Sequence, residues 1–360
     1  MKILMEEKQL LDSFSLCFDL ARDELETYVN LEGMASFFSE WQRSREAVNV
    51  ANVGELNRRI ATGDIATVVK LSEVQQERQI GKIADEIARK FDSGVRIVLI
   101  AGPSSSGKTT FCKCLQIQLL ANLLHPVSIS LDDYYVDRKA TLLDEKGEYD
   151  YESVYAIDLK LFNSDLKKIL AGEEIALPTY NFQTGTRVYK GNTIQFGERS
   201  VLIMEGIHGL NPLLIPDIPV AQVYKIYVSA LISVLSDNHN WISNSENRLI
   251  RRMVRDYQFR GYSAGNTISR WPAVRRGEDR WIFPFQKNAD VLFNSGMVYE
   301  LAALRKLAEP ILREVVPEAA EYAEAQRLLD RLRYFNPIDK EMLPSTSLLC
   351  EFVGGSSFSY

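Results

Sequence analysis

The stretch from Val95 to Thr110, VRIVLIAGPSSSGKTT, holds the residues most clearly spaced for chemistry. Gly102-Pro103-Ser104-Ser105-Ser106-Gly107-Lys108-Thr109 matches G-x-x-x-x-G-K-[ST] at every fixed position. In such a loop the two glycines let the backbone curl so that successive N–H groups point at phosphate oxygens. The following helix adds its partial positive charge. Lys108 is expected to reach the β and γ phosphates of ATP and the Thr109 hydroxyl to bind Mg2+, with Gly102 through Thr110 lining the nucleotide. A glycine-serine turn without a ligand is the plain alternative, but a buried strand before the loop and a helical run from Thr109 to Leu120 after it point to phosphate binding.

Two carboxylates stand at the ends of other apolar runs. Pro126 to Leu131 reads as a strand and ends in Asp132-Asp133. Ligands of an open parallel sheet sit outside the carboxyl ends of its strands, so Asp132 is the candidate general base, acting on an acceptor hydroxyl directly or through a metal-bound water. Asp133 is the weaker candidate. Ser200 to Met204 ends in Glu205, expected to organise Mg2+, or else to cap the next turn. From Glu246 to Arg280 come nine arginines against four acids, with no lysine. Arg248, Arg251, Arg252 and Arg255 recur at helical spacing opposite Ile250, Met253, Val254 and Tyr257, which predicts one apolar face and one guanidinium face. Arginine suits bidentate phosphate binding, and Arg260 to Gly265 should break the helix into a flexible segment, as in a lid that excludes water.

The elements that must position these groups follow from the rest of the pattern. A chain of 360 residues with 46% hydrophobic and 25% charged residues is of ordinary globular composition, and its net charge of −6 gives no bulk attraction to nucleic acid. No apolar run reaches membrane-spanning length and the N-terminus is acidic too early for a secretory signal, which points to the cytoplasm. Cys17, Cys112, Cys114 and Cys350 lack metal or redox spacing and read as reduced thiols. Helices are expected over Leu10–Leu20, Gly33–Arg45, Val53–Ile60 and Ser72–Phe91, a hairpin between Leu177 and Phe196 that turns around Lys190-Gly191-Asn192, a helix over Asp158–Leu170, a late strand over Asp290–Asn294, and helices over Tyr299–Arg313 and Pro317–Tyr334. His208 follows Glu205 closely enough to border the crevice and reads as a satisfied structural histidine.

GPSSSGKTT, SLDDYY, LPTYNFQTGTR, MEGIHG and RLIRRMVRD followed by an Arg-Gly segment resemble, in that order, the uridine kinase and phosphoribulokinase family. Residues from about 53 to 356, with RWPAVRRGEDRWIFPFQ and ADVLFNS, resemble more closely its bacterial uridine kinase-like nucleoside kinases, whose longer members carry a threonyl-tRNA-synthetase-like N-terminal part. The resemblance implies that Asp132 is the catalytic aspartate, Glu205 the Mg2+-organising acid, Tyr180 and Arg187 nucleoside-pocket residues, and Arg255 and Arg260 lid arginines on the phosphates. Glu152 stands where that family places a ribose-binding aspartate. Gly185 stands where it has a base-reading histidine, which opens the acceptor to another nucleoside or a small polyol. The insertion from Ser269 to Trp281 has no assigned role beyond shaping the lid or an interface.

The expected fold is therefore α/β, a P-loop NTPase-type parallel sheet with helices on both faces plus a helical N-terminal segment. Its expected divisions are residues 1–94, a kinase domain over 95–300 with an Arg-rich lid at about 246–280, and C-terminal helices over 301–360 packed on it. Residues 1–94 read as a helical attachment, or else as a regulatory or RNA-related remnant. The expected activity is ATP- and Mg2+-dependent phosphoryl transfer to a small-molecule hydroxyl, most simply a nucleoside 5′-OH. A non-nucleoside metabolite kinase and a non-catalytic nucleotide-dependent regulator are the alternatives, and a homo-oligomer stays open.

Overall fold

The apolar run before the phosphate loop forms strand β1 (Ile97–Ala101), every residue of which is buried. The structure is a computed structural model that describes residues 47–359 other than 145, 146, 148, 232, 233 and 237–241. The helices expected over Leu10–Leu20 and Gly33–Arg45 lie outside the described residues. β1 reads as an unbroken apolar run because it is central: it pairs in parallel with β5 (Ser200–Glu205) on one side and β6 (Val223–Ser229) on the other. β2 (His125–Ser130) and β7 (Val291–Asn294) extend the sheet at its two sides, giving the all-parallel order β2-β5-β1-β6-β7. The sequence reading leaves β6 out, since Lys225 interrupts its apolar residues; the strand forms because Val223, Tyr224, Ile226, Tyr227 and Val228 are buried on both faces.

Alternate residues serve opposite layers. Val98, Ile100, Val201 and Ile203 pack with α3 (Lys108–Ala121) and with Ile80, Ile83, Ile87 and Phe91 of α2 (Ile65–Asp92). Ile97, Leu99, Leu202 and Met204 pack instead with Phe162, Leu166 and Ile169 of α4 (Leu159–Leu170) and with Tyr180 of the antiparallel hairpin β3 (Ile175–Asn181) and β4 (Thr186–Ile194). Helix α2 starts seven residues before the expected Ser72, because Ile65, Val68 and Val69 gain burial that outweighs the poor helix propensity of β-branched side chains. Their partners are α1 (Val53–Ala61) and a third, all-helical core.

That core holds α5 (Asn244–Arg260), α6 (Ala264–Trp281), α7 (Glu300–Arg313), α8 (Tyr322–Arg333) and the short α9 (Cys350–Val353). Where the sequence suggests a flexible segment after Arg260, the chain makes a tight turn. Gly261 takes φ +70° and Ser263 caps α6 by accepting from Asn266 N at 3.2 Å. No helix among the described residues is long and apolar enough to cross a membrane.

α5 is tied to the sheet by charge. Arg251 has a side-chain exposure of 0% and donates to Ser295 O at 2.9 Å and to Glu300, which also accepts from Asn247 and from Met297 N. Ser295 N donates to Ser229 O at 2.8 Å, so α5 is lashed to the ends of β6 and β7. Glu300→Ala would strand the buried guanidinium, and a loss of about 3–5 kcal/mol is expected in urea unfolding at unchanged m-value. A loss below about 1 kcal/mol would show that the pair does not hold α5.

Candidate active site

The phosphate loop crosses the carboxyl end of the sheet at close quarters. A Cβ on Gly102 would lie 2.0 Å from the Val228 carbonyl oxygen, so only glycine passes there. Lys108 is buried and its ammonium donates to Pro103 O at 3.1 Å; burial depresses its pKa, against the pull of Glu205 and Asp132. The Ser105 and Ser106 hydroxyls are buried without hydrogen-bond partners. Thr109 Oγ1 donates to Glu205 Oε1 at 3.3 Å, and Ser130 Oγ lies 3.5 Å from the same oxygen. Burial, then Asp132, raises the Glu205 pKa to about 7. Thr109, Glu205 and Asp132 fit the expected Mg2+, since a hard cation would relieve both the burial of one carboxylate and its repulsion by the other.

Asp132 lies in the 3-10 turn Leu131–Tyr134 directly after β2, as the sheet's polarity dictates. Its charge acts on Lys108, Glu152, Glu205 and Arg260, which brings the catalytic, metal and lid candidates into one electrostatic neighbourhood. Asp133 faces away and accepts from Tyr180 N at 3.0 Å, a bond that seats the hairpin. Glu152 is partly buried with Oε2 enclosed and unpartnered, and desolvation lifts its pKa to about 7 against Arg252. His208 is fully buried; burial lowers its pKa to about 3, against a backbone hydrogen bond at Ser153, and keeps it neutral, as the reading of a structural histidine expects.

Tyr180 and Arg187 are cross-strand partners on the hairpin. The Tyr180 ring sits 5.6 Å from Tyr135 and 5.1 Å from Phe182, edge to face in both cases, and Arg260 lies 5.4 Å over Phe182. Arg187 pairs with Asp158 at 3.2 Å, leaving Nη1 buried and unpartnered. Gly185 occupies the hairpin turn at φ +69°, and a Cβ there would fall 2.6 Å from Arg138 Nε. The space of a side chain at 185 is thus taken by the Arg138 guanidinium, which donates to Phe182 O at 2.7 Å.

The arginine helix divides in two. Arg248 and Arg251 are fully buried rather than part of an open guanidinium face, while Tyr257, expected on the apolar face, is 40% exposed. Arg248 grips Glu278 through both terminal nitrogens, Nη2 at 2.8 Å, and also donates to Ser104 O at 3.1 Å. Glu278 in turn accepts from Ser104 N at 3.2 Å, so the pair clamps one phosphate-loop residue from both sides. This is the place of the unassigned insertion: α6 delivers Glu278 and lies on Glu152, whose Cβ would be 2.2 Å from a Cβ on Gly277. The outer arginines converge on Asp256: Arg255 Nη2 at 2.8 Å, Arg252 Nε at 3.4 Å and Arg260 Nη1 at 3.6 Å. Burial pushes the Asp256 pKa up, but the three cations together hold it below the carboxylate range, and Arg255 presses the Arg260 pKa down to about 10. Sequence reasoning missed Glu278, Glu300 and Asp256; only the presence of acids within or beside an arginine-rich run could have flagged them.

Comparison with known proteins bears on this arrangement. The model of the Phosphoribulokinase / Uridine kinase family matches residues 97–302. The uridine kinase of Staphylococcus aureus (strain JH9) is 32% identical over 203 residues, covering 56% of this chain and 87% of the relative. Among solved structures, one described as a possible uridine kinase from Bacillus stearothermophilus shares 19% identity and covers 59% of this chain and 97% of its own, with a TM-score of 0.38. The D-glycerate 3-kinase from Cryptococcus neoformans shares 14% identity over 77% of this chain and 87% of its own, with a TM-score of 0.32.

Glu152 makes a pH signature. Its folded pKa of about 7 exceeds the unfolded carboxylate value, so the folded protein binds the proton more tightly. Stability is full below the unfolded pKa near 4.3 and is lost as pH rises to about 7, by roughly 2–4 kcal/mol. Glu152→Gln is therefore expected to match the wild type in melting temperature near pH 4.5 and to exceed it increasingly up to pH 7.5. Parallel curves would show that the carboxylate is not buried as described.

Proposed function

The chain belongs to the phosphoribulokinase / uridine kinase family, and from that premise we propose that it phosphorylates a nucleoside on its 5′-hydroxyl. As a member of that family it is a P-loop kinase that transfers phosphoryl from ATP to a hydroxyl acceptor. The nucleoside reading rests above all on the Phe182 ring, which is exposed, is backed edge to face by the buried Tyr135 and Tyr180, and offers flat apolar surface to a base close to the charges of Asp132, Glu152 and Arg260. The uridine kinase relatives support it.

In this reading Asp132 accepts the proton of the acceptor hydroxyl and aims its oxygen in line with the γ-phosphorus. Glu152, with a free buried oxygen, holds acceptor hydroxyls, and Tyr180 and Arg187 shape the pocket from the hairpin. Lys108 turns from Pro103 O to the phosphate oxygens, and Arg255 and Arg260 exchange Asp256 for the transferred group, offsetting charge that develops there. Thr109 and Glu205, with Asp132 beside them, would hold Mg2+, which when bound neutralises the β and γ oxygens.

One observation favours a second acceptor class. Arg138 fills the space next to Gly185, so a base edge that a histidine would read meets a guanidinium instead, and a sugar or polyol hydroxyl is the alternative ligand. ADP release from Mg-ATP against nucleosides, sugars and polyols separates the two. Asp132→Asn is expected to lower kcat by about 10²–10⁴ with the acceptor that responds, and Lys108→Ala by a similar factor with the fold intact. Turnover confined to non-nucleosides would overturn the nucleoside reading, and full activity of Asp132→Asn would remove it as the base.

A further inference from the structure

Thr110 is the last residue of the phosphate cradle and is fully buried. Its backbone N–H is one of the donors at the start of α3 that have no acceptor within the helix, and in a loop of this type those donors receive the α and β phosphates. Here both Thr110 donors are taken by the protein itself. Its N–H donates at 3.2 Å and its Oγ1 at 2.9 Å to one and the same oxygen, Oε2 of Glu351. A single anionic oxygen accepting an N–H and an O–H at a helix N-terminus is the arrangement a phosphate oxygen would adopt.

We propose that Glu351 is a donor-site residue whose carboxylate holds the place of the donor's α-phosphate in the ligand-free protein and thereby sets how tightly ATP binds. The inference rests on the reading of Gly102 to Thr110 as the ATP cradle. Glu351 comes from α9, some fifty residues past the segment that matches the family model, so nothing in that match assigns it. Its backbone is fixed: Leu349, Phe352 and Val353 are buried in the helical core, Gln258 donates to Phe352 O at 3.0 Å, and the Arg251 guanidinium lies 5.0 Å from the Phe352 ring. The side chain is only partly buried and turns about its own dihedrals, so it can yield to an incoming phosphate without moving α9. Elsewhere in the cradle the Ser105 and Ser106 hydroxyls have no partner, while Glu278 accepts from Ser104 N at the start of the loop, so Glu351 is the acid at the α-phosphate end.

ATP must displace this carboxylate, and the displaced charge remains close to the phosphates. Removing it should therefore strengthen donor binding without touching the acceptor. Glu351→Ala is expected to bind ADP, measured by calorimetry, about tenfold more tightly than the wild type and to lower KM for ATP by a similar factor, with KM for the acceptor unchanged. Glu351→Gln, which keeps the acceptor oxygen but not the charge, should fall between them. A merely structural brace predicts the opposite, a lower melting temperature with donor affinity unchanged or weakened, and that result in both variants overturns the proposal. Lys108→Ala separates the two failures. If it loses ADP binding while Glu351→Ala equals the wild type, only the role of Glu351 falls; if Lys108→Ala binds ADP as well as the wild type, the cradle reading falls and this inference with it.

Discussion

A surface built to hold a polyphosphate carries a dense positive charge, and that charge needs anions when no phosphate is present. Lys108, the N-terminus of α3 and five arginines of α5 meet at the carboxyl edge of one parallel sheet. Four carboxylates from four different elements answer them. Glu278 of α6 takes Arg248, Glu300 of α7 takes Arg251, Asp256 gathers Arg252, Arg255 and Arg260, and Glu351 of α9 takes Thr110. The helical half of the molecule is arranged so that each of these acids arrives at the right edge.

Burial decides which of the pairs are permanent. Arg248, Arg251, Glu278 and Glu300 have side-chain exposures of 0 to 2%, and breaking such a pair costs about 3–5 kcal/mol. Arg252, Arg255 and Arg260 are 17%, 13% and 38% exposed and share the single acid Asp256, so each is held less firmly than the fully buried pairs. A phosphate can therefore recruit the outer three and leave the inner two in place. The inner pairs hold α5 against Ser104 and Ser295 so that the outer residues are presented at a fixed height above the loop.

The local chemistry was legible in the sequence because it is written in contiguous residues. The phosphate loop, the acids at the ends of β2 and β5 and the arginine helix each follow from spacing within a few turns of chain, whereas the hairpin turns at Gly185 and not around the expected Lys190-Gly191-Asn192, which lie within β4 because the residues from Thr186 pair across to β3. Less legible was anything fixed by a distant partner. Periodicity identified the arginines of α5 but could not show that Arg248 and Arg251 turn inward, since that depends on Glu278 and Glu300, thirty and forty-nine residues on. The same holds for β6, which is a strand because β1 lies on one side and β7 on the other. Gly185 read as a missing side chain, whereas Arg138 from another loop fills the place.

On the proposed reading the acceptor side carries the reverse sign, and this bears on what it could take. Asp132 and Glu152 are mutually repelling carboxylates, Arg187 is already paired with Asp158, and Arg138 is turned to the Phe182 carbonyl. An acidic acceptor would add a further negative charge beside Glu152, whose pKa desolvation and the neighbouring Glu278 and Asp132 already push up. A neutral polyhydroxylated acceptor would instead supply donors to both carboxylates and an apolar face to the exposed Phe182 ring. On the nucleoside reading the two ends of the site are thus complementary in charge. On that reading the cationic edge would attract and orient the polyanionic donor, and the carboxylate pocket would exclude phosphorylated products from the seat of the acceptor, favouring release after transfer.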